Sequence, residues 1–394
     1  MILPAQVWAA TTSGRALLAA LDAGDGTTRL VGGAVRDALL GLAVKDIDLA
    51  TRLTPQQVIE RLRAAGLKAV PTGLAHGTIT AVAPGLTAEV TTLRRDVATD
   101  GRHAEVAFTD DWRADASRRD FTINALYAKL PGGEIGDYFG GLADLQARRV
   151  RFIGDPLQRI AEDHLRILRF FRFSARFAGV IDSDGLAACT ARANDLMALS
   201  RERVAGELRG LLSVADPVPI AALMVDHGIW APVLPEITAD GVAGLARTIA
   251  AELATGVPAD WRRRLAAVLP ADAAVAGAVA ARLRLSNVDK ARVVQAVGQP
   301  PAGDRYAAAW SDGAAAVADR LLIAGATGPD AAAVLAWRRP RLPVGGRDLL
   351  ARGLPPGPAV AAQLAAFEKL WVAAGFPDDA ATVTALLDHA VATT

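Results

Sequence analysis

The sequence predicts an α+β protein, with short strands and helices over residues 1–140 and an all-helical remainder. Three observations carry this. Strand-like alternation of apolar and polar residues is confined to the first third, as at 76–82 and 89–94, which meet across a Pro84-Gly85 turn. Helical spacing takes over after about Gly141, over 158–177, 184–197 and 201–213, the last preceded by Ser200 as an N-cap. Alanine, the strongest helix former, supplies much of the 52% hydrophobic content.

Taken in order, the first informative element is LVGGAVRDALLGLAVKDIDLAT, residues 30–51. Leu30 and Val31 read as a strand end, Gly32-Gly33 as a tight turn, 34–40 as a short helix and Gly41 as its stop. Asp46 and Asp48 alternate with Ile47 and Leu49, so both carboxylates share one face of a strand. Paired carboxylates repel unless a cation lies between them, and oxygen-only sites suit magnesium, which completes its shell with water and phosphate oxygens. Glycines ahead of a helix leave backbone N–H groups open to a phosphate. Each feature alone is also an ordinary turn or a solvated strand end. Together they point to phosphoryl or nucleotidyl transfer.

Between 95 and 116 the chain is charged and lacks periodicity, which reads as a mobile loop containing Asp100, Gly101, Arg102 and His103. Residues 115–127, DASRRDFTINALY, follow. Arg118 and Arg119 could hold triphosphate oxygens, Asp120 could orient one of them or meet a ribose, and Phe121, Ile123, Ala125 and Leu126 anchor the segment. Alone, the Arg-Arg-Asp run is equally a surface cluster.

Between Gly141 and Arg176 eight arginines stand against four acids, a bias suited to planar contacts with phosphates or bases, or to a solvated helix face. Within it lies EDHLRILRFFRF, residues 162–173. On a helix Asp163 and Arg166 are neighbours, with Arg169 and Arg172 each a further 60° or so round. The plain alternative is a surface ion pair worth about 0–1 kcal/mol. The chemical reading uses the donor pattern: a carboxylate accepts from the exocyclic amine of cytosine or adenine while a guanidinium donates to the ring acceptors beside it. Guanine and uracil present the opposite polarity there, a mismatch costing about 1–3 kcal/mol.

These three motifs resemble, in order and spacing, the class II tRNA nucleotidyltransferases and bacterial poly(A) polymerases of the polymerase β-like superfamily, the CCA-adding enzymes. The first is GG-x-VRD-xx-LG followed by D-x-D, matched by Gly32, Gly33, Val35, Arg36, Asp37, Leu40, Gly41, Asp46 and Asp48; the second is RRDFT-x-NA; the third is ED-xx-R. Segment 346–360, GRDLLARGLPPGPAV, also resembles the C-terminal region of that family. The resemblance implies a head with a mixed β-sheet over 1–140, a base-reading helical neck over 141–215, a helical body over 216–335 and a tRNA-binding tail over 336–394. It implies Asp46 and Asp48 as catalytic magnesium ligands, with Glu89 a candidate third carboxylate. It assigns the nucleotide to Gly32, Gly33, Arg36, Arg119, Asp163, Arg166, Arg169 and Arg172, with Asp120 and Asn124 near the ribose. The implied partners are CTP, ATP and the tRNA 3′ end, with helical arginines, Arg347 and the helix after Pro358 as phosphate contacts. A poly(A) polymerase or an enzyme adding only C or only A would carry the same motifs, and so, in another class, would a catalytically silent RNA-binding homologue.

Composition excludes other classes. A net charge of +1 gives no global mark of a nucleic-acid binder, and the single Cys189 rules out an internal disulfide framework and a cysteine zinc site. No apolar run has membrane-spanning length, and the N-terminus lacks a basic-then-apolar leader, so a soluble cytoplasmic protein is expected. No His-Asp dipeptide signals an appended phosphohydrolase.

Overall fold

The structure, a computed structural model, describes residues 2–100 and 103–392, with the strands across 96–106 given by their backbone. Its contacts divide the chain into two compact units, Met1–Val233 and Leu234–Thr394.

The first unit is built on a mixed seven-stranded sheet ordered β3-β4-β5-β2-β1-β8-β9. Its strands are β1 (Thr28–Val31), β2 (Ile47–Thr51), β3 (Lys68–Gly73), β4 (Thr78–Ala83), β5 (Leu86–Thr92), β8 (Leu126–Lys129) and β9 (Ile135–Asp137). β2 and β5 run parallel and the other neighbours antiparallel. Because β1 is antiparallel to both β2 and β8, its C-terminal end lies beside the start of each. The Gly32-Gly33 turn, the acidic strand start and the segment leading into β8 are therefore brought to one sheet edge. A hydrogen bond from the Gly32 amide to the Leu126 carbonyl, 3.0 Å, ties two of them together. Trp112, Ala116 and Tyr127 pack with Val31, Ala50 and Leu93 beneath that edge.

The expected mobile loop at 95–116 is instead a hairpin of β6 (Arg94–Asp100) and β7 (His103–Phe108) followed by a helix, Trp112–Ser117. Gly101 and Arg102 lie outside the described residues. A two-stranded ribbon has no sheet face that must be buried, so its sequence need not alternate.

The expected helix over 158–177 is two helices, Pro156–Glu162 and Leu165–Phe177, because Asp163 is extended at φ −154° and ψ 105°. Its carboxylate accepts from the Leu165 amide at 3.1 Å and so caps the second helix, a local bond that competes with helix continuation. Phe121, Phe152, Phe170 and Phe173 interlock where that helix meets the sheet segment, with Phe152 and Phe170 stacked at 5.6 Å. The helix Arg201–Leu212 begins after Ser200 as expected, although no Ser200 side-chain cap bond forms.

In the second unit, Asp260, Asp272, Ser286 and Asp304 each cap the helix that follows, accepting from backbone amides. Such caps fix boundaries that alanine-rich sequence leaves vague. Two apolar cores form, one around Val317, Leu322 and Val334, the other around Leu349, Phe367 and Trp371. Beside the first, Arg263 and Arg264 grip Glu252, and Arg263 and Arg292 grip Asp319, all but Arg292 being buried.

Candidate active site

All three motifs line one cleft of about 720 Å³. Its walls include Gly32, Gly33, Arg36, Asp46, Asp48, Arg119, Asp120, Asn124, Asp163, Arg166, Arg169 and Arg172, that is, every site residue expected from the sequence except Glu89. Glu89 lies directly beside Asp48 in the parallel β2–β5 register.

At the acidic end, burial pushes the Asp48 carboxyl above its ordinary range, and the charges of Glu89 and Asp46 push it further. That repulsion is what a cation would relieve, and the donors are all hard oxygens. Among the described residues no group of three or more His, Cys, Asp or Glu is arranged to hold an ion by itself. These hard-oxygen donors suit a divalent cation that keeps waters and substrate oxygens in its shell. Gly32 has φ +67°, and a Cβ there would lie 3.4 Å from Arg119 Nη1; one on Gly33 would lie 3.4 Å from Arg36 Nη2. The missing side chains keep the backbone open between two guanidiniums.

The second motif is locked from below. Buried Asp115 accepts from Arg118 Nε at 2.9 Å, Arg119 Nη2 at 3.1 Å and the Tyr127 hydroxyl at 2.6 Å. Burial alone would raise the Asp115 carboxyl, but Arg119, Arg118 and Tyr127 together bring it down to about 2. Asp120 accepts from Asn124 Nδ2 at 3.0 Å and pairs with Arg169 at 2.6 Å, while Asn124 in turn accepts from Arg36. Asp120 thus joins the sheet edge to the arginine helix.

The third motif departs from expectation. Asp163 and Arg166 do not form a helical ion pair. Asp163 is bound by Arg203 at 2.7 Å, and Arg166 by Glu162 at 2.6 Å. The break at Asp163 removes the three-residue helical step that would have paired them. Nor are the arginines a free cationic face: Arg172 pairs with Glu207 at 2.5 Å, Arg176 with Asp37 at 3.2 Å, and Arg149 and Arg151 with Asp144. Sequence reasoning missed Glu162, Arg203, Glu207, Tyr127, Arg94 and Phe173. The i, i+4 spacing of Arg203 and Glu207 on one helix was the available signal for two of them.

Comparison with known proteins adds the following. Residues 28–151 match the family described as "Poly A polymerase head domain", and 180–240 match "Probable RNA and SrmB- binding site of polymerase A". The CCA-adding enzyme of Lacticaseibacillus paracasei is 31% identical over 371 residues, 89% of each chain. The mouse (Mus musculus) protein named CCA tRNA nucleotidyltransferase 1, mitochondrial, is 46% identical over 205 residues, 51% of this chain. The chain spans about half the length of that relative, 47%. In fold it is similar to the Bacillus stearothermophilus CCA-adding enzyme solved in complex with CTP, at a TM-score of 0.71 and 24% identity over 96% of this chain and 98% of that one.

Proposed function

Because this chain belongs to the family of CCA-adding enzymes, we propose that it adds C and A to tRNA 3′ ends from CTP and ATP without a nucleic-acid template. The observation that carries the reading is the convergence of carboxylates, glycine turn and arginines on one cleft. In the reaction the RNA 3′-hydroxyl displaces pyrophosphate from the nucleotide α-phosphate. Asp46 and Asp48, with Glu89 beside them, would hold magnesium, which when bound favours the ionised hydroxyl and offsets charge on the leaving pyrophosphate. The helix N-terminus that starts at Gly33, together with Arg119, receives the triphosphate, the Gly32 amide being held by the Leu126 carbonyl, while Asp115 and Tyr127 keep Arg119 in place. Arg36, Asn124 and Asp120 form one hydrogen-bonded series beside the ribose position.

Base choice belongs to Asp163 and Arg166, each held apart by Arg203 and Glu162. A cytosine or adenine edge supplies a donor for the carboxylate and acceptors for the guanidinium, so both exchange a protein partner for a base. Guanine and uracil leave one of them unpaired. The tRNA lies along helical segments downstream of the head, with shape and phosphate contacts rather than sequence recognition. We extend this to the four-part division into head (1–140), neck (141–215), body (216–335) and tail (336–394), supported in the last two parts by their separate apolar cores.

Among the described residues no helix is long and apolar enough to cross a membrane. A cytoplasmic location is part of the proposal, with the lone buried thiol of Cys189 suiting a reducing compartment. The mouse relative is named mitochondrial, so cell fractionation decides.

The match of the head to a poly A polymerase domain favours one second reading, poly(A) synthesis. Purified protein given tRNA lacking its CCA end and each labelled nucleotide separates the two. CCA addition gives a product extended by CMP, CMP and AMP and then halted. Long adenylate tails support the alternative. No magnesium-dependent pyrophosphate release would leave only a silent RNA-binding homologue.

A further inference from the structure

We propose that Phe173 is a positioning residue for the nucleotide, holding the guanidiniums of Arg36, Arg169 and Arg172 in the cleft without neutralising them. The inference rests on the nucleotidyltransferase reading above.

Phe173 lines the cleft among charged and polar residues. Three cations converge on its ring, with guanidinium carbons 5.2 Å (Arg36), 5.2 Å (Arg169) and 4.3 Å (Arg172) from the centroid. All three distances fall within the range of a cation–π contact. The ring itself cannot wander. It is 6% exposed, stacks on Phe177 at 5.9 Å and meets Phe121, the neighbour of Asp120, edge to face at 5.5 Å. Phe177 continues the pattern, carrying Arg36 at 4.2 Å and Arg176 at 4.8 Å.

Chemistry explains why an aromatic stands here. A site for a triphosphate must gather several cations before the anion arrives. Carboxylates can hold them, and Asp37, Asp120 and Glu207 do so in part. Each further carboxylate would occupy N–H donors and repel phosphate. A ring face attracts a guanidinium through its quadrupole while leaving the edge N–H groups to donate elsewhere. Phe173 thus fixes the direction of three cations and keeps their charge available. The expected ligand is the ribose and polyphosphate part common to both nucleotides, with the base playing no part at this residue.

The test replaces Phe173 by mono-, di- and trifluorinated phenylalanine, which keep shape and apolarity while progressively weakening the quadrupole. CTP and ATP affinities are measured by calorimetric titration in magnesium buffer, with tRNA affinity and melting temperature as controls. Affinity for both nucleotides is expected to fall stepwise, reaching about fivefold to thirtyfold with the trifluoro ring, while both controls hold. Phe173→Leu should weaken nucleotide binding at least as much, and Phe173→Trp should restore most of it. A flat fluorine series in a protein whose unmodified form binds CTP and ATP overturns this inference alone, reducing Phe173 to core packing. Failure of the unmodified protein to bind either nucleotide removes the nucleotidyltransferase reading and this inference with it.

Discussion

Asp48 lies beside Glu89, and burial together with the charges of Glu89 and Asp46 raises its carboxyl. Asp46→Ala is expected to reduce nucleotide addition to below about one per cent, with circular dichroism and tRNA binding unchanged; a gel assay of labelled CTP incorporation checks it. Substantial magnesium-dependent addition by that variant would remove the metal role. Asp163 tests another part of the chemistry. Its carboxylate is bound by Arg203 yet lines the cleft. Asp163→Ala should cut discrimination against UTP and GTP by about tenfold or more, the equivalent of one mismatched polar contact, rather than slow all four nucleotides equally. Competition assays with paired nucleotides read that ratio directly.

Among the elements, the edge that gathers the site follows from two antiparallel pairings of β1, and its residues were legible because each motif carries its own local chemistry. The glycine turn needs positive φ at Gly32, the acids need a strand, and the Arg-Arg-Asp run needs apolar anchors such as Phe121. Long-range partners were not legible. Nothing local in EDHLR announces that Arg203, forty residues on, takes Asp163, or that Glu207 takes Arg172. The helix break was partly visible, since aspartate is a capping residue, but an apolar period running through it concealed the stop. The Asp115 cluster gives a pH prediction. Its carboxyl sits at about 2 when folded, against about 3.9 unfolded. A depressed folded value stabilises the protein above pH 4 or so, by about 2 kcal/mol, and that share is lost as pH falls toward 2. The stability gap between wild type and Asp115→Asn in urea should therefore shrink steadily from pH 5 to pH 2. A constant gap would mean the carboxylate charge contributes nothing.

On the scale of the whole molecule, the second unit depends on a buried ionic group within alanine-rich helices. Asp319 is fully buried between Arg263 and Arg292. Asp319→Ala leaves those cations uncompensated and should cost about 3–5 kcal/mol in unfolding experiments. Replacement costing less than about 1 kcal/mol would show that the group is dispensable. The four-part division follows from the family resemblance and stays a proposal, whereas the contacts divide the chain once, after Val233. Within the first unit Phe121, Phe152 and Phe170 form one cluster across distant segments, which a linear reading of periodicity does not reveal.

Side chains in one cleft are proposed to choose the incoming base, while the glycine turn and Arg119 receive the phosphates and the acids at the cleft edge hold the metal. A crystal structure with CTP and magnesium tests it most directly. The account predicts the cytosine edge within hydrogen-bonding distance of Asp163 and Arg166, and the phosphates between the Gly32-Gly33 turn, Arg119 and Asp46–Asp48. A nucleotide bound with its base turned away from the Asp163 segment, or its phosphates remote from those acids, would contradict it.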